Sequence, residues 1–141
     1  MATTNATISV SSDIMSYPIN INKTMTMKQL QSCDGIEETG GLNVKKFTAT
    51  TAVEIVGNAE GTAGKASKVY IRNTGSSKVD YFYVALNNSA AASDSTETIG
   101  KLYGGDWMLI PWIATASTTH DICVAPSTAE EMTIEWMVFV E

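Results

Sequence analysis

Apolar and polar side chains alternate at period two through much of this chain, and almost nowhere at helical spacing. Successive side chains of a strand face opposite sides, so this alternation marks half-buried strands. In Ile19-Asn20-Ile21-Asn22-Lys23-Thr24-Met25-Thr26-Met27 the apolar residues hold mostly odd positions, which predicts a half-buried strand or hairpin arm. Val69 and Ile71 alternate with Lys68, Tyr70 and Arg72. Asn73-Thr74-Gly75-Ser76 supplies a turn, and Tyr81-Phe82-Tyr83-Val84-Ala85-Leu86 is aromatic and β-branched. Together these predict a hairpin centred on Gly75. Asp106 to Trp112 is a compact apolar run whose Pro111 indicates a sheet edge or a strand end. Asp121 to Ala125 is a short strand stopped by Pro126. Met132 to Val140 begins alternating and becomes apolar on both faces, as a central strand would. Thr7 to Val10, Asn43 to Ala49 and Val53 to Val56 are weaker candidates.

Helical signals are few. Thr26 to Gln31 is the best, at most two turns. Ser89 to Thr98 is alanine-rich, but its flanking Asn, Ser and Thr favour an exposed loop, and Asn58 to Lys65 is a Gly/Ala-rich loop. The expected class is all-β: an antiparallel β-sandwich, jelly-roll-like, of about seven to nine short strands with little helix. An immunoglobulin-like connectivity ranks lower, because no pair of cysteines flanks a core Trp. Residues 18–141 are expected to form a single sandwich domain. Residues 1–17 are Ser/Thr-rich with sparse hydrophobes, and read either as an N-terminal arm ordered by a neighbouring subunit or as an edge strand.

Composition narrows the function. The chain of 141 residues is polar through 13 Ser and 18 Thr, while charged residues are 17%. Nine cations include one arginine, Arg72; the only adjacent basic pair is Lys45-Lys46, and the net charge is −6. A nucleic-acid binder needs a clustered basic face to displace counterions, so no direct nucleic-acid partner is expected. No apolar stretch reaches the roughly 18 residues of a membrane span. The N-terminus has neither a basic stretch nor an apolar run, so synthesis in the cytoplasm is expected. Cys33 and Cys123 form no CxxC pair and are expected as buried free thiols, although a disulfide between them is geometrically open.

Catalytic patterns are weak. Gly61-Thr62-Ala63-Gly64-Lys65-Ala66 lacks the first glycine of a phosphate loop, whose place falls on Ala59, and the hydroxyl after the lysine, where Ala66 stands. His120-Asp121 adjoins a base and a carboxylate, but strand neighbours diverge, and Thr118 and Thr119 are weak nucleophiles. Cys33, Cys123 and His120 have no zinc-ligand spacing. A surface calcium at Asp94 or Asp106 stays open. The expectation is therefore no enzyme, no cofactor and no resident metal. Of the tryptophans, Trp136 shares the Ile134 and Val138 face and reads as core. Trp107 and Trp112 lie on opposite faces of one strand, so one is buried and the other available for contact.

Three segments in order carry a family resemblance: Lys68-Val69-Tyr70-Ile71-Arg72-Asn73-Thr74-Gly75, then Tyr81-Phe82-Tyr83-Val84-Ala85-Leu86, then Ile99-Gly100-Lys101-Leu102-Tyr103-Gly104-Gly105-Asp106-Trp107-Met108-Leu109-Ile110-Pro111-Trp112. This succession resembles small β-sandwich virion proteins of tailed bacteriophages, of the capsid decoration (cement) type. The resemblance implies a structural protein on the capsid surface that binds the major capsid protein lattice and itself, as a homotrimer, and stabilises the head. It carries no catalytic residues. The contact residues then expected are Ile8, Val10, Ile14, Met15, Tyr17, Tyr103, Trp107 and Trp112. The alternative is a tail fibre, spike or receptor- or glycan-binding module, which predicts a row of exposed aromatics; glycan ranks below protein contact.

Overall fold

The computed structural model describes residues 5–12, 19–26, 38–60, 66–87, 97–113 and 120–140. The chain divides into two compact units, with the boundary between residues 37 and 38.

The first unit holds β1 (Asn5–Ser12) and β2 (Ile19–Thr26), which pair antiparallel. The register puts Ala6 opposite Met25, Ile8 opposite Lys23, and Val10 opposite Ile21. Asn5, Thr7 and Ser9 face Thr26, Thr24 and Asn22, so the other side of the ribbon is polar. The hydroxyls of Thr7 and Thr24 lie 2.9 Å apart across it. The domain boundary thus differs from the expected one at residues 17 and 18. Ile19–Thr26 has β1 as its partner, not a strand of the sandwich, so the ribbon forms a sheet of its own. Ile21 and Met25 are also not half-buried: both are exposed.

The second unit is an antiparallel β-sandwich. Its strands are β3 (Glu38–Thr39), β4 (Asn43–Phe47), β5 (Val53–Val56), β6 (Ala66–Asn73), β7 (Tyr81–Leu86), β8 (Thr98–Tyr103), β9 (Trp107–Ile113), β10 (Ile122–Pro126) and β11 (Met132–Val140). One sheet runs β5-β10-β7-β8. The other runs β3-β11-β6-β9, with β4 also on β11. β3 and β4 are two pieces of one edge: Glu38 and Thr39 face Val140 and Phe139, while Asn43 to Phe47 face Trp136 to Met132. The register slips by one residue between them, at Gly40-Gly41. Gly41 takes φ +75°, a left-handed conformation that costs glycine least.

Pairing is nested. β7 pairs β8, β6 pairs β9, β5 pairs β10 and β4 pairs β11. The sandwich is therefore one long antiparallel hairpin folded so that successive rungs fall in alternate sheets. The turn centred on Gly75 is consequently not a hairpin turn. β6 pairs β11 and β9, β7 pairs β10 and β8, and residues 74–80 cross between the sheets. Asn73 drives the crossing. Its side chain is buried, its Nδ2 donates to the Leu102 carbonyl at 3.0 Å, and its Oδ1 accepts from the Gly75 amide at 3.0 Å. One amide thus bends the chain after β6 and ties it to β8 of the opposite sheet. Gly105 (φ +88°) donates its N–H to the Asn73 carbonyl, and Gly104 donates to Ser77 O at 2.9 Å. A Cβ on Gly104 would lie 2.5 Å and 2.6 Å from the Ser77 backbone N and O, so only glycine fits.

Both sheets contribute to one core, including Phe47, Val69, Ile71, Ile134 and Val138 from one and Ile55, Val56, Phe82, Val84 and Val124 from the other. Phe47 and Phe82 meet edge to face at 5.3 Å between centroids. β11 and β10 are central strands, each with neighbours on both sides, and β10 is buried along its length. Among the described residues β9 has only β6 beside it, and Pro111 sits where a missing amide proton does least harm. Trp112 points inward from β9 and is buried. Its Nε1 donates to the His120 carbonyl at 2.7 Å.

Candidate functional site

The outer face of the β5-β10-β7-β8 sheet carries an aromatic cluster. Inward-facing Phe82, Val84 and Leu102 leave Tyr81, Tyr83, Lys101 and Tyr103 on the opposite side by strand parity. Register then sets Tyr81 against Tyr103 and Tyr83 against Lys101. Tyr81 packs on Tyr83 with centroids 5.0 Å apart and on Tyr103 at 5.1 Å. The Tyr81 and Tyr83 hydroxyls lie 2.9 Å apart. Lys101 Nζ stands 4.4 Å from the Tyr81 ring centroid and 5.4 Å from that of Tyr83, within cation–π range. The hydrogen bond with Tyr83, followed by the Lys101 ammonium, lowers the pKa of Tyr81. That same bond to Tyr81 raises Tyr83, and Tyr81 raises Lys101, so the lysine holds its proton more firmly. Beside the cluster Ala85, Ala125 and Cys123 form a buried floor of small residues. Burial first, then the carboxylates of Glu54 and Asp121, pushes the Cys123 thiol up to about 11. At neutral pH it is a thiol, which is a poor nucleophile.

The outer face of the other sheet is mixed. Trp107 is 49% exposed and lies 6.5 Å from Tyr70, centroid to centroid. The Tyr70 hydroxyl donates to Glu135 Oε1 at 2.8 Å, and Arg72 Nη1 lies 3.5 Å from the same oxygen. Burial, then the Glu135 carboxylate, raises the Tyr70 pKa. Ile113 and Val44 are exposed near the two edges. Lys46 and Glu131 pair at 2.9 Å, both largely in solvent, where such pairs contribute at most about 1 kcal/mol.

At one end of the sandwich, the crossing after Asn73 and the β10–β11 turn bound a polar cleft of about 350 Å³. Asp80, Glu130 and Glu131 line it. Asp80 is engaged, accepting from Ser77 Oγ at 2.7 Å. Among the described residues no group of three or more His, Cys, Asp or Glu is arranged to hold a metal ion. No helix among them is long and apolar enough to cross a membrane.

The expected contact residues are scattered. Ile8 and Val10 lie exposed on the apolar side of the ribbon, with Ile21 and Met25. Tyr103 and Trp107 are exposed on opposite sheets of the sandwich. Trp112 is not a contact residue: strand parity turns it into the core, 7% exposed. Ile14, Met15 and Tyr17 lie outside the described residues, as do Cys33, Asp94, Thr118, Thr119, most of the Gly61–Ala66 loop and the candidate helix after Thr26. Asp106 places its carboxylate on the Tyr103 amide at 3.0 Å, closing the β8–β9 turn. Tyr81, Tyr83 and Lys101 were not among the expected contacts. Alternation places the two tyrosines on one face, but only the β7–β8 register brings Lys101 and Tyr103 to them. No protein-family model, curated protein or solved structure matches this chain.

Proposed function

We propose that this chain is a structural virion protein, a capsid decoration (cement) protein on the surface of a tailed-phage head. In this reading it is synthesised in the host cytoplasm and binds the major capsid protein lattice and its own copies, as a homotrimer. The observation that carries the reading is the β1–β2 ribbon. One side carries Asn5, Thr7, Ser9, Asn22 and Thr24, while the other presents Ile8, Val10, Ile21 and Met25 at 40–46% exposure around Lys23. Two-stranded ribbons are marginal in water, so an apolar side of this kind is stabilised by covering. A second support is the sandwich itself. Its strand order, β4-β11-β6-β9 over β5-β10-β7-β8 with nested pairing, supports reading the sandwich as jelly-roll-like, a fold common in capsid components.

Cryo-electron microscopy with quantitative mass spectrometry of the purified particles tests the proposal. Copies in the hundreds, seated on the capsid lattice, are expected. A few dozen copies or fewer at the tail would replace it with the fibre or spike reading, and absence from the particle would refute both.

A further inference from the structure

The outer face of the β5-β10-β7-β8 sheet combines features that packing alone does not explain. Lys101 is a cation in a chain of net charge −6, yet no carboxylate among the described residues lies within ion-pair distance of it. Its neighbours are three tyrosines. An ammonium held over phenol rings keeps its full charge and remains open on its outer side to an anion. The Tyr81 and Tyr83 hydroxyls share one hydrogen bond, so one O–H between them is free to donate outward. Tyr103 is 38% exposed and borders Tyr81 on the sheet edge. Edge-to-face packing of these rings limits their rotamers, so little side-chain entropy is left to lose on binding.

The surface is a platform, without the enclosure that a drug-like apolar molecule requires. It has one cation and no arginine fork or cradle of backbone amides, so a bare phosphate would meet a single contact. A flat ring with apolar C–H groups on one side and a carboxylate at its rim matches it better. We propose that Tyr81, Tyr83, Lys101 and Tyr103 form a subsite for an acidic sugar unit of a glycan, with the sugar ring on Tyr103 and its carboxylate on Lys101. The hydroxyls of Tyr81 and Tyr83 then take the sugar oxygens beside the carboxylate. The Asp106 carboxylate next to Tyr103 accepts from the Tyr103 amide and makes no ion pair with Lys101. This subsite does not depend on the virion reading, since it requires only the β7–β8 register.

Saturation-transfer NMR on the full chain, with glucuronic acid and N-acetylneuraminic acid against glucose and galactose, tests it. Transfer to the acidic sugars is expected, with the neutral ones weaker by about tenfold, the scale of one charge-assisted hydrogen bond. Lys101→Gln should weaken the acidic sugars about tenfold and Lys101→Arg should retain them. Tyr103→Ser should abolish transfer to the ring protons while the melting temperature stays near that of the parent chain. No transfer from either acidic sugar at millimolar concentration would overturn the proposal. So would equal binding of neutral and acidic sugars, or acidic-sugar binding that survives Lys101→Gln. Tighter binding of an oligoglutamate peptide than of either acidic sugar would also overturn it, in favour of an acidic protein segment.

Discussion

Replacing Asn73 with Ala removes both arms of the amide that links the two sheets. The Leu102 carbonyl loses its donor at 3.0 Å, and the Gly75 amide loses its acceptor at 3.0 Å. Asn73 is 1% exposed, so the partner facing Leu102 is lost in a place water reaches poorly. A buried polar group left unpaired costs about 1–3 kcal/mol. Gly75 is exposed, so water replaces much of its bond and that arm adds less, roughly 0.5–1 kcal/mol. The loss should therefore be about 1.5–4 kcal/mol, a large share of the 5–15 kcal/mol typical of a domain. For a unit near 100 residues this lowers the melting temperature by roughly 7–20 °C. Asn73→Asp sharpens the test. A carboxylate there keeps the acceptor for Gly75 but sets negative charge against the Leu102 carbonyl, so its folded pKa is raised above about 3.9. A raised acid pKa means stability that is present below the unfolded value and lost as pH rises through the folded value. The Asp variant should thus approach the parent chain at acid pH and fall below the Ala variant at neutral pH. Urea unfolding followed by tryptophan fluorescence, at several pH values, measures both. A loss under 1 kcal/mol in Asn73→Ala would show that the backbone bonds of Asn73 with Gly105 and Asp106 hold the crossing alone.

Gly104→Ala should destabilise by more than about 3 kcal/mol or prevent folding, because the clash is with backbone. Gly100→Ala, with nothing within 4 Å of its Cβ, should change stability by less than about 0.5 kcal/mol in the same urea titration. Cys123 should resist iodoacetamide at neutral pH until the chain is unfolded. Because its folded pKa is raised to about 11 from an ordinary 9.0, stability should decline as pH climbs through that window, measured by thermal melts of the parent chain against Cys123→Ala. Trp112→Phe removes the 2.7 Å bond to His120 O and should cost about 1–2 kcal/mol by circular-dichroism melting. Double substitution of Val10 and Ile21 by Asn should leave the melting temperature of the sandwich unchanged and abolish retention on capsids in a co-sedimentation assay.

Strand positions were legible where burial acts on one strand at a time. The alternation around Val69 and Ile71, the doubly apolar end of Met132–Val140 and the edge placement implied by Pro111 all correspond to strands in those roles. Pairing was less legible. Asn73-Thr74-Gly75 between two apolar runs reads locally as a hairpin, and the decision to cross sheets is made by a bond to Leu102, far along the chain. Likewise Ile19–Thr26 has the pattern of a sandwich strand. Its pairing with β1 depends on which partner is in reach, a property alternation does not encode. The tyrosine–lysine cluster fails to appear in sequence for the same reason, since Lys101 joins Tyr81 and Tyr83 only through register.

Nested pairing also sets an order of events during synthesis. The innermost rung, β7 with β8, joins residues close in the chain, whereas Phe47 on β4 waits for Met132 on β11. Of the sandwich strands β11 is the last to be synthesised, and it is the central member that both β4 and β6 need. Until it emerges, these two strands lack their shared neighbour and expose apolar surface. Chains cut short anywhere before residue 132 would lose the middle of a sheet instead of an edge. Quality control would then see them as unfolded, and folding of the sandwich should wait for β11 and be slow, on the millisecond-to-second scale of non-local β topologies.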